Sequence, residues 1–203
     1  MTELEPKTNT QTKIFIAAGA IMFALIILFV LFGMKKEEPK RNIVEYNYFK
    51  FEETGGLWKT NIQLDDQLFE AMFRYNPKQV ENVTITGNFT GFRKTPIYIT
   101  FDPDVESDKF KYLALAASEL SLNVIRALNF TVEAACTKNE TEACQNRSII
   151  TCADNKSVIY LVAEGPTQIT LNQSCITLNG EQLELLKSVD RLLFQWYKIM
   201  KTT

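Results

Sequence analysis

Four carboxylates alternate along Asp102, Asp104, Glu106 and Asp108. Hard cations such as calcium are held by several oxygens at once, often from alternate residues of one loop. A calcium site is therefore the sharpest chemistry this chain offers. The run departs from the helix–loop–helix calcium pattern at two positions. Ser107 stands where the loop needs glycine for its turn, and Leu113 stands where the closing glutamate belongs. Acids just ahead of a helix also complement the positive end of its dipole, and Ser107 suits a helix cap. A helix start is the simpler reading.

Catalysis has few other footholds. The chain contains no histidine, which removes Ser/His/Asp and Cys/His nucleophilic sites together with the commonest metal ligand. A carboxylate pair could still serve as acid and base in glycoside cleavage. Asp102, Glu119 and Asp190 are conceivable members, although their spacing does not single them out. There is no phosphate-binding glycine loop, and Gly55-Gly56 reads as a hairpin turn. The aromatic residues Trp58, Trp196, Tyr46, Tyr48, Tyr75 and Tyr197 read as core or half-buried packing. The formal charge of −2, mixed along the chain, gives no argument for nucleic acid as a partner, and none is expected. The expectation is a non-enzyme without a cofactor.

The cysteines and asparagines point to a compartment. All four cysteines, Cys136, Cys144, Cys152 and Cys175, cluster in the C-terminal part. Their long, irregular spacings do not fit the short pairs of a zinc site, so two disulfides are expected, in an oxidising environment. Three pairings are open. Cys136–Cys144 with Cys152–Cys175 is favoured because each closes a local segment. Sequons for N-glycosylation begin at Asn82, Asn88, Asn129, Asn139, Asn146, Asn155 and Asn172. That is well above chance for this composition, and all lie in the same part as the cysteines.

The elements that hold these residues begin with an anchor. No charge interrupts Ile14 to Met34, while Lys13, Lys35 and Lys36 flank the run. This is long enough to cross a bilayer as a helix. A cleaved signal fits less well, because the small residues Ala17 to Ala20 lie at the start of the run rather than after it. The lysine count, richer after the helix, favours a cytoplasmic C-terminal side. The cysteines and sequons favour the opposite, and together they outweigh it. The expected organisation is a cytoplasmic tail over 1–13, a transmembrane anchor over 14–34, a stalk over 35–43 and an extracytoplasmic domain over 44–203.

Within that domain, strand patterns through Tyr46–Phe51, Leu57–Leu64 and Leu68–Tyr75 predict a small antiparallel meander over 44–76. An α/β core over 77–203 should follow. Its expected strands are Val80–Thr86, Pro96–Phe101, Thr131–Cys136, Ser157–Ala163, Gln168–Leu171 and Cys175–Leu178. Its expected helices are Ser107–Leu128 and Glu181–Met200. The first helix carries one stripe through Phe110, Leu113, Ala117, Leu120 and Val124, and a second apolar surface at Leu115, Ala116 and Leu122. Burial on more than one side is expected; an exposed interface is the alternative. The fold class is α/β, or α+β, with a mixed sheet layered against two helices.

Two resemblances add to this. The segment SVIYLVAEGPTQITLNQSCITLNGEQLELLKSVDRLL resembles an α/β unit of archaeal S-layer-type envelope proteins. With FRYNP, YITFDP and ACTKNETEAC, the whole domain is similar to uncharacterised single-pass archaeal membrane proteins, which implies an envelope location and no particular activity. An apolar N-terminal helix before a β-rich domain also resembles type IV pilin-like proteins. There, however, a small residue precedes the processing site, and this chain has Lys13 directly before Ile14.

These readings converge on a membrane-anchored extracytoplasmic envelope protein with a binding or structural role. Its partners would be membrane lipid, through the helix, and an envelope protein or glycan. A pilin-like filament subunit, a carboxylate-dependent hydrolase and an accessory subunit of a membrane complex are the alternatives.

Overall fold

The computed structural model describes residues 10–33, 42–64, 66–93 and 95–201. The chain divides into two units, Met1–Lys40 and Arg41–Thr203. The first contains the helix α1 (Thr10–Gly33), which starts earlier than the apolar run itself. Its described side chains are all exposed and almost all apolar, so no face of it suits water. It is long and apolar enough to cross a membrane. Met34, the tail before Thr10 and the stalk up to Arg41 lie outside the described residues.

The second unit opens with a meander of β1 (Ile43–Tyr46), β2 (Phe49–Thr54), β3 (Leu57–Leu64) and β4 (Gln67–Phe73). These form one antiparallel sheet in that order. The single strand expected through Tyr46–Phe51 is two strands, reversed at Asn47 and Tyr48 with φ of 44° and 71°. Positive φ at both central residues matches the twist of a tight hairpin. Asparagine tolerates that region, and Tyr48 takes it with its ring wholly in solvent.

The second sheet has seven strands: β5 (Thr84–Phe89), β6 (Ile97–Phe101), β7 (Val132–Cys136), β8 (Ser148–Ile149), β9 (Val158–Val162), β10 (Gln168–Gln173) and β11 (Cys175–Asn179). Their order is β5-β10-β11-β9-β6-β7-β8, and every pair is parallel except the β10–β11 hairpin. The expected strand at Val80 begins only at Thr84, because a 3-10 turn at Pro77–Gln79 buries Val80 and Val83 in a loop. The two-residue β8 is too short to leave a sequence pattern. On β5, Gly87 lies opposite Leu171, and a Cβ there would stand 1.9 Å from the Leu171 carbonyl oxygen. Only glycine lets this edge strand pair.

Two helices complete the unit, α2 (Ser107–Leu128) and α3 (Glu184–Trp196). The N-cap of α2 is Glu106 rather than Ser107, which is its first helical residue. The expected helix over 181–200 is trimmed at both ends, where Gln182 and Lys198 take positive φ. The helices pack on each other and on one face of the larger sheet through Ile99, Leu161, Ile176 and Leu178. The meander lies on the far side of α3, where Phe194 meets Phe51 and Phe73 at ring-centroid distances of 5.7 and 4.5 Å. The result is a mixed α/β unit in three layers, with α3 in the middle. Every residue from Ser188 to Phe194 is buried, including Asp190 and Arg191.

Candidate functional site

The acidic run sits where an α/β sheet most often opens a crevice. After β6 the chain passes through α2 to β7 on one side; after β9 it passes to β10 and β11 on the other. Adjacent parallel strands whose chains leave in opposite directions part at their carboxyl ends, the usual ligand position in such sheets. The crevice there measures about 210 Å³ and is lined by Asp102, Asp104, Glu106, Lys109, Tyr160 and Glu164, among others.

Three of the four carboxylates that line it are ion-paired. The Lys138 ammonium lies 3.2 Å from Asp102 and 2.7 Å from Asp104, and Lys109 pairs with Glu106 at 3.2 Å. The bond from Lys138 holds the Asp104 carboxyl below the usual range, and hydrogen bonding to Asp104 raises the Glu140 carboxyl. Asp108 lies in the first turn of α2. Among the described residues no three carboxylates converge as metal ligands. Asp102, Asp104 and Glu106 thus lead into α2 as an ion-paired approach, with Lys138 shared by the first two.

A larger opening lies on the other side of the helix layer. The edge strand β4 and helix α2 enclose a groove of about 550 Å³. One wall is formed by consecutive residues from Leu68 to Arg74, both faces of the strand in turn, so the groove runs along the strand edge. The other is one face of α2: Glu119, Leu122, Asn123 and Arg126. The lining is mainly apolar, and Leu68, Met72 and Leu122 are 70%, 54% and 51% exposed. Size and chemistry match binding clefts, which are mostly apolar with a few placed polar groups. The second apolar surface expected on α2 is thus split: Ala116 is buried, while Leu122 and its neighbour Ile125 face out.

No protein-family model matches the chain, and no curated protein and no solved structure matches it significantly.

The floor of the groove is tied together by polar contacts. Arg74 forms an ion pair with Glu119, and the Tyr197 hydroxyl donates to Asn123 Oδ1 at 2.8 Å. Burial pushes the Tyr197 phenol up. Behind Arg74, the backbone N–H of Tyr75 donates to Asp190 Oδ2 at 2.8 Å, which ties the end of β4 to α3. Of the conceivable catalytic carboxylates, Glu119 is paired and Asp190 is 1% exposed; Asp102 lies in the crevice, bound to Lys138. Trp58 and Tyr197 are in the core, and Trp196 stacks edge-on against Phe92 at 5.9 Å.

Asp190 yields a pH prediction. Burial drives its carboxyl well above the ordinary range, against the lowering effect of the Tyr75 N–H. As pH rises past the ordinary carboxylate value, the unfolded chain releases this proton while the folded chain keeps it. Stability from this group is therefore full at low pH and is lost as pH climbs to the raised value. Asp190→Asn retains an acceptor for Tyr75 and has nothing to titrate. Between about pH 4 and about pH 7 the urea midpoint of the variant should rise relative to the parent. A constant difference would show that Asp190 titrates normally.

The cysteines pair as Cys136–Cys144 and Cys152–Cys175, with Cα separations of 5.9 and 5.4 Å, within the range a disulfide spans. The first joins the end of β7 to the 3-10 turn Glu142–Cys144. The second staples the loop after β8 to β11, over the sheet face opposite the helices, where Ile150 and Val158 are buried. All seven sequon asparagines are exposed. Asn88 and Asn172 are register partners, and Arg93 links Asn155 to Gln173, so these three share one end of the sheet. Residues 42–76 contain no sequon, and none includes a residue lining the groove.

Proposed function

We propose that this chain is a single-pass membrane protein whose extracytoplasmic domain binds a protein partner in the groove between β4 and α2. The observation that carries this reading is the groove itself. It is an apolar cleft with exposed Leu68, Met72 and Leu122, on a domain whose sequons all lie elsewhere. Exposed apolar surface of this kind marks interaction sites. The disulfide pairs and the exposure of every sequon asparagine favour an oxidising, glycosylating compartment, and α1 suits the bilayer. The resemblance to archaeal envelope proteins points the same way. The reading also covers an accessory subunit that docks on a larger complex.

The test of location is the intact mass of protein extracted from its own membranes, alkylated with and without prior reduction. Alkylation only after reduction, with mass above that of the polypeptide, is the expected result. Four thiols that label freely on a chain without sugar would invert the topology, and the lysine count would have been the better guide.

A further inference from the structure

Resting on that reading, we infer that the occupant of the groove is an extended segment of a partner polypeptide, which adds to β4 as a fifth strand beneath α2 and carries a carboxylate toward Arg126. β4 ends its sheet, and the backbone hydrogen bonds of Gln67–Phe73 run only to β3 among the described residues. A bare edge of this length, rich in apolar side chains, is a template for another strand unless charge, proline, shortness or a cover blunts it.

A two-residue strand is one such device, and a glycan on an edge strand would be another. β8 is two residues long and follows the sequon at Asn146, while β5 carries the sequon asparagine Asn88 within the strand. β4, with the sequence QLFEAMF, is seven residues long without proline or sequon, and its one charge, Glu70, is taken up by Lys59. A helix wall alongside a free strand edge is also the geometry in which extended peptides are clasped, with main-chain bonds on one side and side-chain pockets on the other.

Charge completes the description of the segment. Glu70 is paired with Lys59 at 3.3 Å, and Arg74 with Glu119. Arg126, at the last turn of α2, has no ion-pair partner among the described residues. Among the described residues the groove thus presents an apolar slot with a cation, Arg126, that no side-chain anion pairs. A strand with alternate apolar residues and one acid complements it, and a basic strand does not.

The test uses the full chain in detergent micelles and three capped, fluorescent peptides. The first alternates valine and threonine around a central aspartate. The second has the same side chains with alternate backbone nitrogens methylated, so it cannot pair as a strand. The third has lysine for aspartate. Micromolar binding of the first is expected, with a loss of at least about tenfold for the methylated peptide, since several backbone hydrogen bonds vanish together. The lysine peptide should lose several-fold, and that difference should disappear in Arg126→Ala. Met72→Glu, on an exposed position, should weaken all binding while thermal unfolding stays unchanged.

Equal binding of the methylated peptide would overturn strand addition yet leave the groove as a binding site. No binding of any peptide, to protein whose disulfides and glycans are intact, would overturn the inference without touching the anchored, external location. Sedimentation showing an oligomer that Met72→Glu dissociates would also overturn it, since the occupant would then be a second copy of the chain.

Discussion

Phe194→Ala is expected to lower the unfolding free energy by about 3–5 kcal/mol, the cost of emptying a fully buried aromatic site. Phe194 is fully buried at the point where the three layers meet. Its ring stands edge-on to Phe51 and tilted against Phe73, and Phe73 in turn meets Tyr197 at 6.0 Å. The alanine variant loses transfer energy and leaves a cavity walled by rings that cannot all collapse into it, since their strands are held by backbone pairing. Phe194→Leu retains much of the volume and should lose less than half as much. Urea titration followed by tryptophan fluorescence measures both, because Trp58 lies in the meander and Trp196 at the end of α3. A cost below about 1 kcal/mol for alanine would mean that the meander is not held to α3 through this cluster. If Trp58 and Trp196 report separate transitions in the variant, the meander detaches before the larger sheet unfolds. Peptide binding along β4 should then weaken with it, because Arg74 and Tyr75 lose their anchorage on α3.

Local chemistry made much of this fold legible. The helix Ser107–Leu128 is read correctly at both ends because its stripe recurs at helical spacing and acids precede it. The strands PIYITF and SVIYLVA are short apolar runs whose β-branched residues favour a buried strand over a helix. The Asn47–Tyr48 turn is hidden because it lacks glycine, the residue that would have announced positive φ. The limits of α3 and the burial of Asp190 and Arg191 are hidden for another reason. Leucines on one face with charges on the other describe a surface helix. Only the arrival of the meander, drawn from far along the chain, covers the charged face. The groove belongs to the same class. Its walls are a strand and a helix about fifty residues apart, and neither carries a motif. The one trace in sequence is Leu122, an apolar residue beyond what the buried stripe of α2 requires. The acidic run shows the converse. Its alternating carboxylates suggest a cation site, and Lys138, the single cation shared by two of them, lies a whole helix and strand away.

The paired substitution Cys152→Ala with Cys175→Ala should cost at least about 3 kcal/mol, the loop entropy the unfolded chain regains. The cross-link spans a sequence separation of 23, against 8 for Cys136–Cys144. On loop entropy alone, losing the shorter link costs slightly less. Structure adds to this difference. The longer link holds the loop after β8 over the far face of the sheet, covering Ala135, Ile150 and Val158, a cluster separate from the main core. Thr100 Oγ1 donates to the Ile150 carbonyl at 2.8 Å, the buried polar contact that sets this loop in place. Without the link the loop lifts, and both apolar burial and that hydrogen bond are lost together. Denaturation of the paired variant, beside the same change at Cys136 and Cys144, measures the order. A larger loss for the shorter link would mean that its packing against the main core outweighs loop length. The groove lies on the opposite side of the helix layer, between β4 and α2, so at low denaturant the paired variant should bind the aspartate peptide as the parent does. Stability and recognition would then respond to different halves of the domain. That separation follows from the layering, since the Cys152–Cys175 link and the groove lie on opposite sides of the helices.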